Sequence, residues 1–126
     1  MTGKTHKCSA EKIGSIHAVQ DALYVLNGKW RLPIIAVLSE GPMRFNELQR
    51  ELIDITPKIL SKELRDLELN RLIERKVFTS VPVVVIYELT DYSKTLEPIL
   101  HHLTEWGRQH KKKIIEEWKA EALLRK

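Results

Sequence analysis

Thr56-Pro57-Lys58-Ile59-Leu60-Ser61-Lys62-Glu63-Leu64-Arg65-Asp66-Leu67-Glu68-Leu69-Asn70 is the stretch whose pattern decides the fold of this chain. It opens on a hydroxyl residue followed by proline, a cap and a first-turn residue whose missing N–H is not needed there. Leu60, Leu64 and Leu67 then recur at i, i+4 and i+7, a narrow apolar stripe supported by Ile59 and directed at a core. Lys58, Lys62 and Arg65 repeat that spacing on another face, with Thr56 and Ser61 toward the N-terminal end. The spacing predicts an amphipathic helix running to about Asn70.

Upstream, a short helix is expected over 46–53, with Phe45, Leu48 and Leu52 at i, i+3 and i+7 and only Asp54-Ile55 before the next cap. Gly41-Pro42 closes an earlier helix over 30–39, whose Ile34, Ile35 and Leu38 share one side. Pro33 is tolerable there because it lies near the helix start. The first periodic segment covers 9–26, capped by Ser9 and ended by Asn27-Gly28. Ile16, Val19, Leu23 and Leu26 form one stripe on it and Ala18, Ala22 and Val25 another, so this helix needs two neighbours. In a short chain the second can come from another subunit.

Downstream, residues 72–79 and 83–89 are rich in β-branched and aromatic side chains and are parted by Ser80-Val81-Pro82, the pattern of a small hairpin. Thr90 or Asp91 is placed to cap a long final helix containing Leu96, Ile99, Leu100, Leu103, Trp106, Ile114, Ile115 and Trp118. The fold class is mainly α with one β-hairpin (α+β). A short helix, a tight turn and a second helix make a helix-turn-helix, and the hairpin behind it makes a wing.

A chain of 126 residues fits one domain, 1–126, and its 43% hydrophobic and 30% charged residues argue against disorder. No apolar run approaches the roughly 20 residues that span a bilayer, and no secretory signal is present, so no membrane partner and a cytoplasmic location are expected. One cysteine excludes an internal disulfide and suits a reducing compartment. The net charge of +4 is unevenly spread: +2 in 1–13, −2 across 14–106 and +4 in 107–126. Polyanion binding therefore rests on where individual cations fall.

The 56–70 helix offers such a placement. A major groove about 12 Å wide admits one helix, and side chains of this kind read base edges. Lys58, Lys62 and Arg65 can address guanine edges or phosphates; Thr56 and Ser61 suit phosphate oxygens beside a helix N-terminus. Glu63, Asp66 and Glu68 occupy the same helix, and a mixed-charge face is also what a merely solvated helix presents.

Gly28-Lys29-Trp30, Arg44-Phe45-Asn46-Glu47-Leu48, Ile55 to Ser61, Leu64-Arg65-Asp66-Leu67-Glu68, Leu72-Ile73-Glu74-Arg75, Pro82 and Tyr87-Glu88-Leu89-Thr90 form an ordered series. Leu96, Pro98, Leu103 and Trp106-Gly107 extend it. Over about 8–107 the chain resembles the HxlR-type winged-helix regulators. The resemblance implies a bacterial or archaeal transcription factor acting as a homodimer on double-stranded DNA, with a palindromic operator. It makes 9–27 and 91–122 dimerisation helices, leaves 1–8 as a tail, makes 56–70 the recognition helix and puts Arg44 at the DNA-facing edge.

Three departures from the family pattern stand out. Arg71 and Ser93 occupy positions where such regulators usually carry glycine, and 83–86 is wholly apolar where they often carry charge. A wing without cations there cannot grip phosphate, which leaves Arg75 and Lys76 as its basic candidates.

Cys8, beside Lys7 and near His6 and Lys4, is placed at the expected helix start, a setting that stabilises thiolate. The resemblance implies an oxidant- or electrophile-sensing role for it, with a small-molecule or oxidant effector. The five histidines supply no tight set of metal ligands, no cofactor motif is present, and no catalytic constellation appears, so an enzyme is not expected. Trp30, Trp106 and Trp118 lie among apolar neighbours and read as core or dimer contacts; Lys111-Lys112-Lys113 reads as a solubilising run or a backbone contact. Two other readings stay open: a protein-interaction module on the same scaffold, favoured by the uncharged wing, and a regulator responding to a metal or small ligand.

Overall fold

A computed structural model describes the backbone of residues 2–125 and the side chains of residues 10–125. The chain forms two compact units, Met1–Thr90 and Asp91–Lys126. In the first, α1 (Thr2–Leu26), α2 (Arg31–Leu38), α3 (Phe45–Leu52) and α4 (Pro57–Leu69) precede an antiparallel hairpin of β1 (Ile73–Phe78) and β2 (Val84–Leu89). In the second, a short 3₁₀ helix (Tyr92–Leu96) leads into α5 (Glu97–Leu124). Among the described residues, no helix is long and apolar enough to cross a membrane.

The core of the first unit is where the apolar stripes predicted it. Ile34, Ile35 and Leu38 of α2, Leu48 and Leu52 of α3, and Leu60, Leu64 and Leu67 of α4 are all buried, joined by Leu26, Ile55, Leu72 and Ile73. Each such side chain contributes about 1.5–3 kcal/mol by leaving water. Ile59, expected to support the α4 stripe, is instead exposed. One residue ahead of Leu60, it is turned by about 100° away from the leucine row.

The ends of α3 and α4 explain the geometry of the turn. Glu47 folds back to accept the N–H of Arg44 at 3.1 Å, securing the start of α3. Ile53 and Asp54 then take φ values of 39° and 66°, unfavourable for the β-branched Ile53 and better tolerated by Asp54, and swing the chain so that Ile55 is buried. Thr56 is extended and its Oγ1 accepts the N–H of Ile59 at 3.2 Å, with Pro57 in the first turn, as the Thr-Pro pair predicts. At the far end, the N–H of Leu72 reaches the carbonyl of Leu67 and that of Arg71 the carbonyl of Glu68, both at 3.0 Å. This double closure needs a left-handed residue after the cap, and Arg71 supplies it at φ 63°.

In the hairpin, Ile73 faces Leu89, Arg75 faces Tyr87 and Phe78 faces Val84. A feature without sequence signal widens it. Met43 forms an antiparallel bridge to Tyr87, the two exchanging N–H···O bonds of 2.9 and 2.8 Å, which ties the segment before α3 to the wing.

Two boundaries differ from expectation. α1 begins at Thr2, not at a Ser9 cap, so residues 2–8 of the tail expected over 1–8 are helical; no proline interrupts that stretch. The final helix begins at Glu97, not at Thr90 or Asp91. Pro98 suits a first turn because its N–H is not required there. Thr90 is committed elsewhere, its hydroxyl donating to the carbonyl of Arg71 at 2.6 Å.

Candidate nucleic-acid interface

The thirteen residues of α4 sort into three strips about the helix axis. Leu60, Leu64 and Leu67 point into the core, and the opposite strip carries Lys58, Lys62 and Arg65, all exposed. Ser61 is exposed beside them, and none of the three cations forms an ion pair among the described residues. Thr56 is exposed at the N-terminal end; its oxygen serves as the cap acceptor while its O–H remains a donor. Arg44 is exposed at the start of α3.

The carboxylates that made this helix ambiguous in sequence are accounted for by geometry. Arg31, the first residue of α2, donates from Nε to Glu63 and from Nη2 to Asp66, both at 3.1 Å. Its Nη1 donates to the carbonyls of Val25 at 2.8 Å and Tyr24 at 3.2 Å, at the C-terminal end of α1. The side chains of Arg31 and Glu63 are only 16% and 15% exposed, and that of Asp66 is 29% exposed. Two of the three acids of α4 are thus drawn to its flank and paired with one cation. Arg31 stands 32 residues from Glu63, and no periodicity relates them. The only sequence signal is the i, i+3 spacing of Glu63 and Asp66.

The wing divides its two basic candidates. Lys76 is bonded to Glu88 of the adjacent strand, and the carboxylate holds its ammonium above the usual lysine range. Arg75, opposite Tyr87, is exposed and unpaired among the described residues. The tip at Val81, Pro82 and Val83 is exposed and apolar.

Cys8 lies outside the described side chains. Among the described residues, no group of three or more His, Cys, Asp or Glu side chains is placed to share a metal ion. Trp106 stacks on His110 with ring centroids 4.8 Å apart and planes 7° from parallel. On one side of α5, Arg108, Lys111, Lys112, Glu116 and Lys119 lie about Ile115.

Comparison with known proteins bears on the same residues. The family model described as HxlR-like helix-turn-helix matches residues 25–115. An HTH-type transcriptional regulator of Halalkalibacterium halodurans is 44% identical over 104 residues, covering 78% of this chain and 92% of that protein. The reduced form of the redox regulator HypR is similar at TM-score 0.70 and 36% identity, over 77% of this chain and 96% of HypR. The reduced form of the transcriptional regulator YodB from Bacillus subtilis is similar at TM-score 0.68 and 36% identity, over 71% of this chain and 88% of YodB. YodB has also been solved diamide-treated and quinone-bound.

Proposed function

This chain belongs to the HxlR-like helix-turn-helix family of transcriptional regulators, and from that premise we propose that it is a homodimer that reads a palindromic operator in double-stranded DNA. The observation that carries the reading is the exposed row Lys58, Lys62 and Arg65 on α4, set opposite three buried leucines. One α4 from each subunit enters the major groove, at half-sites about one helical turn (roughly 34–36 Å) apart. The row supplies the charge-assisted contacts, while Thr56, Ser61 and Arg44 hold phosphate. Arg75 is the wing's basic contact; Lys76 contributes to the wing through its bond to Glu88, and reaches phosphate only by leaving that carboxylate.

Dimerisation is supported by two unpartnered stripes. Ile16, Val19 and Leu23 of α1 and Ile99, Leu103 and Trp106 of α5 are each about half exposed or more. Large apolar side chains at such spacing on two helices suit a second copy. A change of dimer geometry then separates or aligns the two reading helices.

A second reading adds to the first. YodB was solved diamide-treated and quinone-bound, and HypR is described as a redox regulator. Cys8 is the one thiol of this chain, and reaction with an oxidant or electrophile is its proposed signal.

A mobility-shift titration tests the main reading, using a duplex selected by the chain from a random pool, at two salt concentrations. Specific binding that weakens steeply with salt is expected. Failure to select any duplex refutes DNA reading and leaves the protein-interaction alternative. For Cys8, diamide should alter the affinity of the wild type and not of Cys8→Ser; equal responses refute the thiol switch.

A further inference from the structure

Resting on the DNA-reading role of α4, we infer that Arg31 is a positioning residue for that reading, one guanidinium joining the end of α1 to the flank of α4, holding two carboxylates there and offsetting part of their charge. Arg31 touches none of the proposed reading side chains. It acts through Glu63 and Asp66.

The geometry carries this in three ways. First, the guanidinium serves three helices: its own backbone opens α2, two of its nitrogens hold α4, and the third takes the Tyr24 and Val25 carbonyls of α1. Those carbonyls belong to the last turn of a helix, where no intrahelical donor remains for them. Second, a cation at the first residue of α2 opposes the helix dipole there, so local stability does not account for it. The planar fork of arginine can address several acceptors at fixed angles, which a lysine ammonium cannot reproduce. Third, the cluster is largely shielded from water, so the charges are weakly screened and their pairing orients α4 about its own axis.

Without Arg31, Glu63 and Asp66 lie one turn apart with no counter-charge. Like charges at that spacing repel and relax toward solvent. The flank of α4 then becomes more negative beside Lys62, and the axial position of the cationic row is no longer held. Because two carbonyls of α1 share the same guanidinium, movement at the end of α1 reaches α4 through this contact. A stripe proposed to bind the second subunit is thereby linked to the reading helix by one side chain.

The test compares wild type, Arg31→Gln, the triple variant Arg31→Gln/Glu63→Gln/Asp66→Asn, and Arg65→Ala on the selected duplex over a salt series, with thermal unfolding of each. Arg31→Gln is expected to weaken binding at least about tenfold, the order of one lost base contact. Its salt slope should match wild type, because no phosphate contact disappears. The triple variant should recover only part of the loss: neutral amides no longer repel phosphate, but no guanidinium holds the axial position of α4. Arg65→Ala, by contrast, weakens binding directly. Should Arg31→Gln unfold below the assay temperature, Arg31→Lys carries the test, with weaker binding at unchanged slope expected. Wild-type affinity in the Arg31 variant, a slope lower by about 0.9, the signature of a lost phosphate contact, or full recovery in the triple variant overturns the positioning role alone. Salt-independent binding, or none, by the wild type overturns the DNA reading and this role with it.

Discussion

Lys76 on β1 is bonded to Glu88 on β2, at the place in the hairpin where Glu74 lies directly across from Glu88. Two like charges in direct cross-strand register destabilise a sheet, and the diagonal lysine offsets them. The cation that sequence offered as a DNA contact is thus first a structural one.

This pair has a defined pH window. Glu88 raises the Lys76 pKa above the ordinary lysine range, through a hydrogen bond and through charge attraction. A raised pKa in the folded state means the stabilisation is complete below the unfolded pKa of about 10.4 and is lost as pH rises through the folded value. Lys76→Gln should therefore lower Tm slightly at pH 8 and leave it equal to wild type near the top of that range. An equal Tm difference at both ends, read by circular dichroism, counts against the pair.

The reading face makes a separable prediction. Lys58→Ala, Lys62→Ala and Arg65→Ala should each cost about 1–3 kcal/mol where a base is read, or lower the salt slope by about 1 where a phosphate is held. Stability should stay within about 0.5 kcal/mol because all three are exposed. A mobility-shift series with parallel urea melts distinguishes these outcomes.

Thr56→Ala removes the acceptor for the Ile59 N–H and should destabilise the protein by about 1 kcal/mol. Thr56→Ser keeps the oxygen and should restore most of that. Urea midpoints for the pair decide whether the cap is energetic or incidental.

Arg71 carries a left-handed backbone at φ 63°. A glycine has no Cβ to clash there, so Arg71→Gly should stabilise by about 1 kcal/mol, reduced somewhat by the looser unfolded chain. A fall in Tm would show that the arginine side chain outweighs its backbone.

The proposed dimer is tested through Leu103→Glu. A charge in the α5 stripe should shift the chain to monomer in sedimentation, while the core of the first unit, made from α1 to β1, keeps its melting transition. Binding to a two-half-site duplex should fall by roughly 10²-fold or more with the loss of bivalency. An unchanged sedimentation coefficient excludes this stripe from the interface.

Much of this architecture was legible because it is local. The Thr56-Pro57 start, the leucine stripe of α4 and the ends of β1 and β2 depend on residues within a few positions of one another. The late start of α5 has no local signal, because Thr90 is drawn off by Arg71, a partner nineteen residues away. Ile59 shows that apolar character alone does not imply burial, since the buried α4 stripe is only three leucines wide.

Helical periodicity converts spacing into direction, so the order of elements, the buried face of α4 and the cationic row opposite are written in the residues alone. Tertiary structure alone decided the electrostatic meaning of that helix. Glu63 and Asp66 count equally with Lys62 and Arg65 in any tally of charge, and only the approach of Arg31 from α2 withdraws them. The same holds for Lys76, claimed by Glu88 across the hairpin. Charge is a property of residues, but a free charge is a property of the fold, because pairing depends on distances that no local pattern encodes.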